Sequence, residues 1–265
     1  MKKVNFNVTS VFAYFVMFLV AVAVTSFCCT SRESGSAGSL SHLTDFHSLE
    51  ISGALRVDLL ISDRDEVIID ADEDILSDIK LYVKKNKLII KCSKRISINS
   101  NKRPRIQIMM RDVREIEISG ATEVKLATVG RSIKSLEIEI SGVSSFVADA
   151  IRGNKLDLEL KGASKFECND IGVRELEITA SGSSGVELAG NSEKLDLELK
   201  GASSFKDFGF ATQVVDAELS GASTARLQIN RQFDVKAKGS SKFYYSGDGV
   251  GRKIKVSGVA VVEKQ

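Results

Sequence analysis

The 265-residue chain has no tryptophan, a single proline (Pro104), four tyrosines and two histidines. Each scarcity excludes something. His42 falls in a segment without periodicity and His47 at the mouth of an expected strand, so neither is placed for a catalytic triad or a metal site. No Cys or His cluster has ligand spacing, and no glycine-rich phosphate loop opens a helix. Without tryptophan and with little tyrosine, the chain is poor in the aromatic platforms that usually supply contact area to carbohydrate rings. Net charge is also missing. Lys2 and Lys3 lie in a segment expected to be removed, and without them 35 basic residues face 35 acidic ones. A neutral chain lacks the basic footprint of nucleic-acid binding.

Long apolar runs are absent with one exception. "VFAYFVMFLVAVAV" follows Lys2 and Lys3 and is itself followed by small or polar residues, which reads as a targeting segment over residues 1–29 and predicts export. Cys29, with Cys28 as the alternative, is the candidate lipid acceptor, giving a lipoprotein held to the membrane by its N-terminal lipid. Ordinary cleavage after Ala23 or Ser26, or an uncleaved anchor, are the competing readings. The other cysteines, Cys92 and Cys168, do not form a disulfide framework. They share register with apolar neighbours and read as small core side chains.

What is present is repetition. "EIEISGATEVKL", "EIEISGVSSFVA", "DLELKGASKFEC", "EITASGSSGVEL", "DLELKGASSFKD" and "DAELSGASTARL" are variants of one phrase, anchored on Gly120, Gly142, Gly162, Gly182, Gly201, Gly221, Gly239 and Gly258, with gaps of 18 to 22 residues. A further copy stands alone at Gly53. Two and four residues before every anchor the side chain is apolar, as at Ile138 and Ile140 or Leu197 and Leu199. The residues between are mostly charged, so each phrase alternates with period two and forms a strand with one buried face. Four residues after the anchor a second apolar stripe begins, including Phe146, Phe166, Phe205 and Phe243. Glycine suits the corner because it accepts positive φ and close backbone approach.

Each unit of about 20 residues is therefore a strand, a Gly-Ala-Ser corner, a shorter strand and a polar turn such as "NDIGVRE" or "AGNSE". An antiparallel meander would separate like positions by about 10 Å, whereas parallel stacking sets them about 4.8 Å apart. The expectation is an all-β protein: a parallel, right-handed β-solenoid (β-helix) with an irregular N-terminal β cap. Residues 30–45, rich in Ser and Gly, read as a flexible tether. Residues 46–113 hold the first coil and a β-rich capping block, and residues 114–265 the solenoid repeats. Within the block, "DEDILSDI" allows only one or two helical turns, and the basic loop "KRISINSNKRPR" is expected to be exposed.

The phrase from Phe46 to Val57, the stretch "EVIIDADEDILSDIKLYVKKNKLIIKCS" and the serial corners ending in "GSSKFYYSGDG" together resemble the autotransporter-adhesin head GIN domain family over residues 46 to 262. That resemblance implies a β-solenoid-like fold in exported bacterial envelope proteins, many of them lipoproteins, with no established enzymatic activity and no catalytic residues to carry over. Lys161, Lys200 and Lys238 stand before the glycine where the family usually has Ser.

Stacked coils would superpose the acidic residues five before each anchor (Glu115, Glu137, Asp157, Glu177, Asp196, Asp216, Asp234) and three before it (Glu117, Glu139, Glu159, Glu198, Glu218). Like charges about 5 Å apart cost on the order of 1 kcal/mol per pair in water-like surroundings. A solvated face offset by Lys161, Lys200 and their neighbours is one account. The other is a cation-collecting face, with Glu139, Asp157 and Glu159 as candidate calcium ligands. The Ser column from Ser144 to Ser241 reads as backbone-satisfying hydroxyls, and Tyr244 as an outward contact residue. The function expected is a non-catalytic envelope binding module for a macromolecule or glycan, at the outer membrane. A polysaccharide-lyase-like β-helix and a ligand-free spacer are the alternatives.

Overall fold

The structure is a computed structural model, and it describes residues 36–39, 43–93, 103–128 and 132–265. The expected targeting segment with Cys28 and Cys29 lies outside the described residues, as does most of the basic loop.

From Glu115 onward the chain winds as parallel coils. Strands β8 (Glu115–Gly120), β10 (Ile133–Ile140) and β12 (Ile151–Leu160) stack in order, and β9 (Glu123–Thr128) and β11 (Ser145–Ala148) stack beside them. The long strands β13 (Lys165–Ala180), β14 (Gly185–Leu199), β15 (Ser204–Leu219) and β16 (Thr224–Ala237) then each traverse most of a coil. β17 (Lys242–Ser246), β18 (Val250–Val256) and β19 (Val261–Lys264) finish the stack. The result is a parallel β-solenoid of about seven turns.

Equivalent residues superpose one coil apart. Phe146 lies against Phe166, Ile138 against Leu158 and Leu160 against Ala180. Phe146 and Phe166 stack with ring centroids 5.4 Å apart and planes 11° apart, a pairing worth roughly 0.5–1.5 kcal/mol beyond its burial. The stripe does not continue as one pile of rings: Phe205 meets Phe210 edge-on, and Phe243 leans on Phe233.

The turn "NDIGVRE" is a correction. Ile171 and Val173 within it are buried, at 0% and 5% exposure. Each full coil thus has three inward-facing runs, 166–168, 171–173 and 176–180 in β13, separated by pairs of outward residues. The polar letters around Ile171 mark the bends between runs and hide a short stretch of core. In the same region of the next coils, Ser192 and Thr212 are buried and share a 2.8 Å hydrogen bond.

The corners show why glycine recurs. All nine anchors have φ between +73° and +128°, a region costly to residues with a Cβ. The residue after each anchor from Gly120 onward donates its N–H to the carbonyl of the glycine one coil before, as Ala163 does to Gly142 at 2.8 Å. Next comes the buried hydroxyl column. Ser164, Ser184 and Ser203 donate to the carbonyls of Lys161, Ser181 and Lys200 at 2.6, 2.8 and 2.8 Å. The hydroxyls therefore satisfy backbone groups that the tight bend would otherwise strand.

The front of the molecule departs from chain order. β2 (Ser48–Gly53) and β3 (Arg56–Ile61) form the first coil in sequence, but β6 (Lys87–Cys92) pairs with β2 on one side while β8 pairs with it on the other. β7 (Arg105–Met110) and β9 flank β3 in the same way, all parallel. The capping block thus contributes an additional coil, placed outside the first. Antiparallel strands then close the edge: β5 (Ile79–Lys84) on β6 and β4 (Glu66–Ala71) on β7. A single turn of helix, α1 (Glu73–Leu76), joins them and buries Ile75. β4 also pairs with β1 (Ser36–Ser39), so four residues of the expected tether belong to the sheet.

Two more expectations change. Arg103 and Pro104 are buried rather than exposed, because the Arg103 guanidinium donates to the Leu55 and Ala121 carbonyls at 2.9 and 2.7 Å and meets Glu123 at 2.7 Å. In the last coil, Ile254 and Val256 hold inward register positions yet are 49% and 48% exposed. Among the described strands β18 pairs with β16 alone.

Candidate functional site

The broadest candidate surface is the outward face of the strands that precede each corner. Parallel register brings Glu115, Glu137, Asp157, Glu177, Asp196, Asp216 and Asp234 into one uninterrupted file. Beside it run Glu50, Glu117, Glu139 and Glu159, then Thr179, Glu198 and Glu218. A strand places alternate residues on one side, so carboxylates two apart in sequence share this face by necessity.

Lysines thread between the files. Lys161 Nζ sits 3.0 Å from Glu139 and 2.8 Å from Glu159, bridging two coils. Lys155 pairs with Glu177 at 3.1 Å, Lys194 with Asp196 at 2.6 Å and Lys200 with Glu198 at 2.7 Å. At the front, Lys87 reaches both Glu115 and Glu117, at 3.0 and 2.8 Å. At the far end Lys238 and Lys236 hold Glu218 below the usual carboxylate range, and Arg252 does the same for Asp234. The middle of the file is less well compensated. Partial desolvation, then the neighbouring Asp157 and Glu115 carboxylates, push Glu137 up; desolvation and Glu177 do so for Asp157.

Glu139, Asp157 and Glu159 therefore lie close together, each of the two glutamates within ion-pair distance of Lys161. Among the described residues, no group of three or more His, Cys, Asp or Glu side chains is arranged to hold a metal ion. His47 turns its Nδ1 to the Ser48 hydroxyl at 3.2 Å. Cys92 and Cys168 are buried in the core, and burial pushes the Cys168 thiol up to about 11. Tyr244 faces outward under the Arg226 guanidinium, 5.2 Å from the ring centroid, while Tyr245 turns in against Phe233.

A second feature was not legible as a site in the sequence. An open cleft of about 550 Å³ lies over β3, β7 and β9 beside the end of β4. Arg56, Arg103, Arg105 and Lys125 line it together with Asp58, Asp70, Asp72 and Glu123. The two signs are interleaved, with Arg105 on Asp58 at 2.6 Å and Arg56 on Glu123 at 3.5 Å, so the cleft has no net preference for an ion of either sign. The only sequence signal was Pro104 anchoring an otherwise unpatterned basic run.

Among the described residues no helix is long and apolar enough to cross a membrane. The architecture defines the class: a parallel β-solenoid closed at its front by antiparallel strands, with flat charged flanks. More specifically, the chain belongs to the family described as "putative auto-transporter adhesin, head GIN domain", whose model matches residues 45–249. No curated protein matches it. Solved structures similar in fold include a "putative adhesin" from Parabacteroides merdae ATCC 43184, at TM-score 0.79 and 19% identity over 88% of this chain and 96% of that one. A "putative lipid binding protein" from Parabacteroides distasonis ATCC 8503 matches with TM-score 0.78 and 17% identity, over 88% and 97%. A "putative adhesin" from the same strain matches with TM-score 0.77 and 16% identity, over 87% and 96%.

Proposed function

We propose that this protein is a non-catalytic binding module of the cell envelope, exported, tethered through an N-terminal lipid on Cys29 or Cys28, and presenting the charged flank of its solenoid to a macromolecule or glycan. One observation carries the reading. The carboxylates from Glu115 to Asp234 repeat in register over successive coils at a spacing of about 4.8 Å, and Lys161, Lys200 and Lys238 stand before the corner glycine in alternate coils. A polymeric partner can meet such a surface at many equivalent points, each weak and together strong. The family description, with its adhesin label, supports the same reading.

A lyase-like reaction would need acids and a base converging on one sugar. Here Lys161, Lys155, Lys194 and Lys200 are engaged one by one with the acids beside them. The deciding experiment incubates the full chain with an array of envelope glycans and surface proteins, with ultraviolet absorbance monitoring for unsaturated uronide. Retention without absorbance is expected; turnover overturns the reading. Intact mass of the protein from its native membrane tests the tether, where an unacylated N-terminus removes that part of it.

A further inference from the structure

The outward side of the β5–β6 hairpin is basic. β5 turns Lys80, Tyr82 and Lys84 to solvent, and antiparallel register sets them opposite Lys91, Ile89 and Lys87 on β6. Two of the three cross-strand pairs are thus lysine on lysine, which weakens a sheet. The β6 members are compensated by the start of the acidic flank: Lys91 meets Glu50 at 2.7 Å, and Lys87 meets Glu115 and Glu117 at 3.0 and 2.8 Å. On β5 that compensation is missing. Lys80 and Lys84, with Lys85 beside them, are exposed and form no ion pair among the described residues.

The hairpin tip carries its lysine at a conformational cost. Lys85 and Asn86 have φ of +51° and +60°, the left-handed pair of a two-residue turn in which Asn, Asp and Gly are favoured. Asn86 is tied into the body, its amide donating to the Asp45 carbonyl at 2.6 Å and its own carbonyl accepting the His47 N–H at 3.0 Å. The Lys85 side chain has no such partner among the described residues, so what the strained position gains is a charge at the tip. Between the lysine pairs stands Tyr82, 42% exposed. β1, the first described strand, runs along β4 at this same end, so the chain enters the solenoid from the front.

We propose that the β5–β6 hairpin docks the front of the solenoid on an anionic phospholipid surface, with Lys80, Lys84 and Lys85 on headgroup phosphates and Tyr82 at headgroup level. Lysine suits such a target. Its ammonium is a point charge on a flexible stem that can follow a fluid array of phosphates, whereas fixed bidentate recognition calls for arginine. Among the described strands β5 pairs with β6 alone, so its long side chains reach past the front of the stack. The carboxylates that follow, from Glu50 on, are repelled by the same surface and tilt the stack away from it. The proposal rests on the membrane tether proposed above, to which a polybasic patch adds a second signal, but the patch acts without the acyl chain and is measured separately from it.

The test is co-sedimentation of the full chain, its acylation read by intact mass, with vesicles of phosphatidylcholine alone or of phosphatidylcholine with phosphatidylglycerol. Partition about tenfold or more stronger to the anionic vesicles is expected, fading in high salt. Lys80→Gln/Lys84→Gln/Lys85→Gln should lose that preference, and Arg at the same three positions should keep it. Lys206→Gln/Lys242→Gln/Lys264→Gln removes equal charge elsewhere and should also keep it. Circular dichroism confirms that the variants keep the fold. No preference for anionic vesicles overturns the proposal, as does an equal loss in both Gln variants, which would reduce it to net charge. Aggregation of the first Gln variant with its preference intact also overturns it, leaving the lysines as guards of an edge strand. A dimer in vesicle-free sedimentation that the first Gln variant abolishes would name the acidic flank of a second copy as the occupant, and retention on polygalacturonate without vesicle binding would name an acidic glycan; either overturns the lipid assignment. An acylated chain without the preference sinks the patch and leaves the tether, whereas an unacylated chain with it does the reverse.

Discussion

A Cβ built on Gly162 would lie 2.7 Å from the carbonyl oxygen of Gly142, one coil below. The same oxygen accepts the N–H of Ala163 at 2.8 Å, so neither partner can retreat without breaking the corner ladder. Gly162→Ala should cost the left-handed backbone penalty of about 1–2 kcal/mol plus the strain of the clash. Gly209 provides the control: its φ is +103° but a Cβ there meets nothing within 4 Å. Gly209→Ala should cost the backbone part alone. Urea denaturation of both variants separates the two, and equal losses would show that close stacking is not what the corner glycines serve.

Arg103, with its side chain 0% exposed, ties the added front coil to the corners at Leu55 and Ala121. Arg103→Met keeps much of the apolar stem but removes the donors from both carbonyls and one partner from Glu123. The expected loss is about 2–4 kcal/mol, and Arg103→Lys should recover only part of it, since one ammonium cannot match the fork of a guanidinium. Proteolysis that first cuts within residues 36–113 of the variant would locate the damage; uniform resistance would exclude a role in holding the front.

The file of carboxylates predicts an unusual response to acid. Glu137 and Asp157 have folded-state values above their unfolded ones, so protonation favours the folded state. Their contribution is fully present below the ordinary carboxylate range of roughly pH 4 and is lost as pH rises through the folded values. Glu218 and Asp234 are held down and act oppositely, contributing above that range and losing it as pH falls. Glu137→Gln should therefore raise Tm at neutral pH, with the gain vanishing below about pH 4. A gain that persists in acid would point to packing rather than charge.

Calcium provides a fourth check. Because Lys161 already lies between Glu139 and Glu159, calcium chloride and sodium chloride at matched ionic strength should raise Tm equally, by screening. A larger shift with calcium, absent from Glu139→Gln/Glu159→Gln, would show direct ligation on this face.

The coil itself was legible because its evidence is local and repeated. Leu158 and Leu160 point inward for the same reason as Leu197 and Leu199, and period two at a fixed spacing leaves few other arrangements. Three features escaped. Ile171 and Val173 lie too close to bends for alternation to stand out against the polar letters beside them. The position of β6 and β7 outside β2 and β3 is a matter of which strand lies next to which, and side-chain periodicity carries no information about neighbours. Arg103 looked like a surface residue because its burial depends on carbonyls 18 and 48 residues away. The acidic files were readable from composition and register alone.

β2 and β3 are gripped on both sides by strands that follow them in the chain. This fixes where the molecule can vary in size. A unit added outside β6 and β7 would have to displace the antiparallel strands β5 and β4 that cover them, while a unit inserted at any corner from Gly142 onward only lengthens the stack by one step. Growth of this architecture is therefore one-sided, and a longer version of it would carry an unchanged head and a more distant tip.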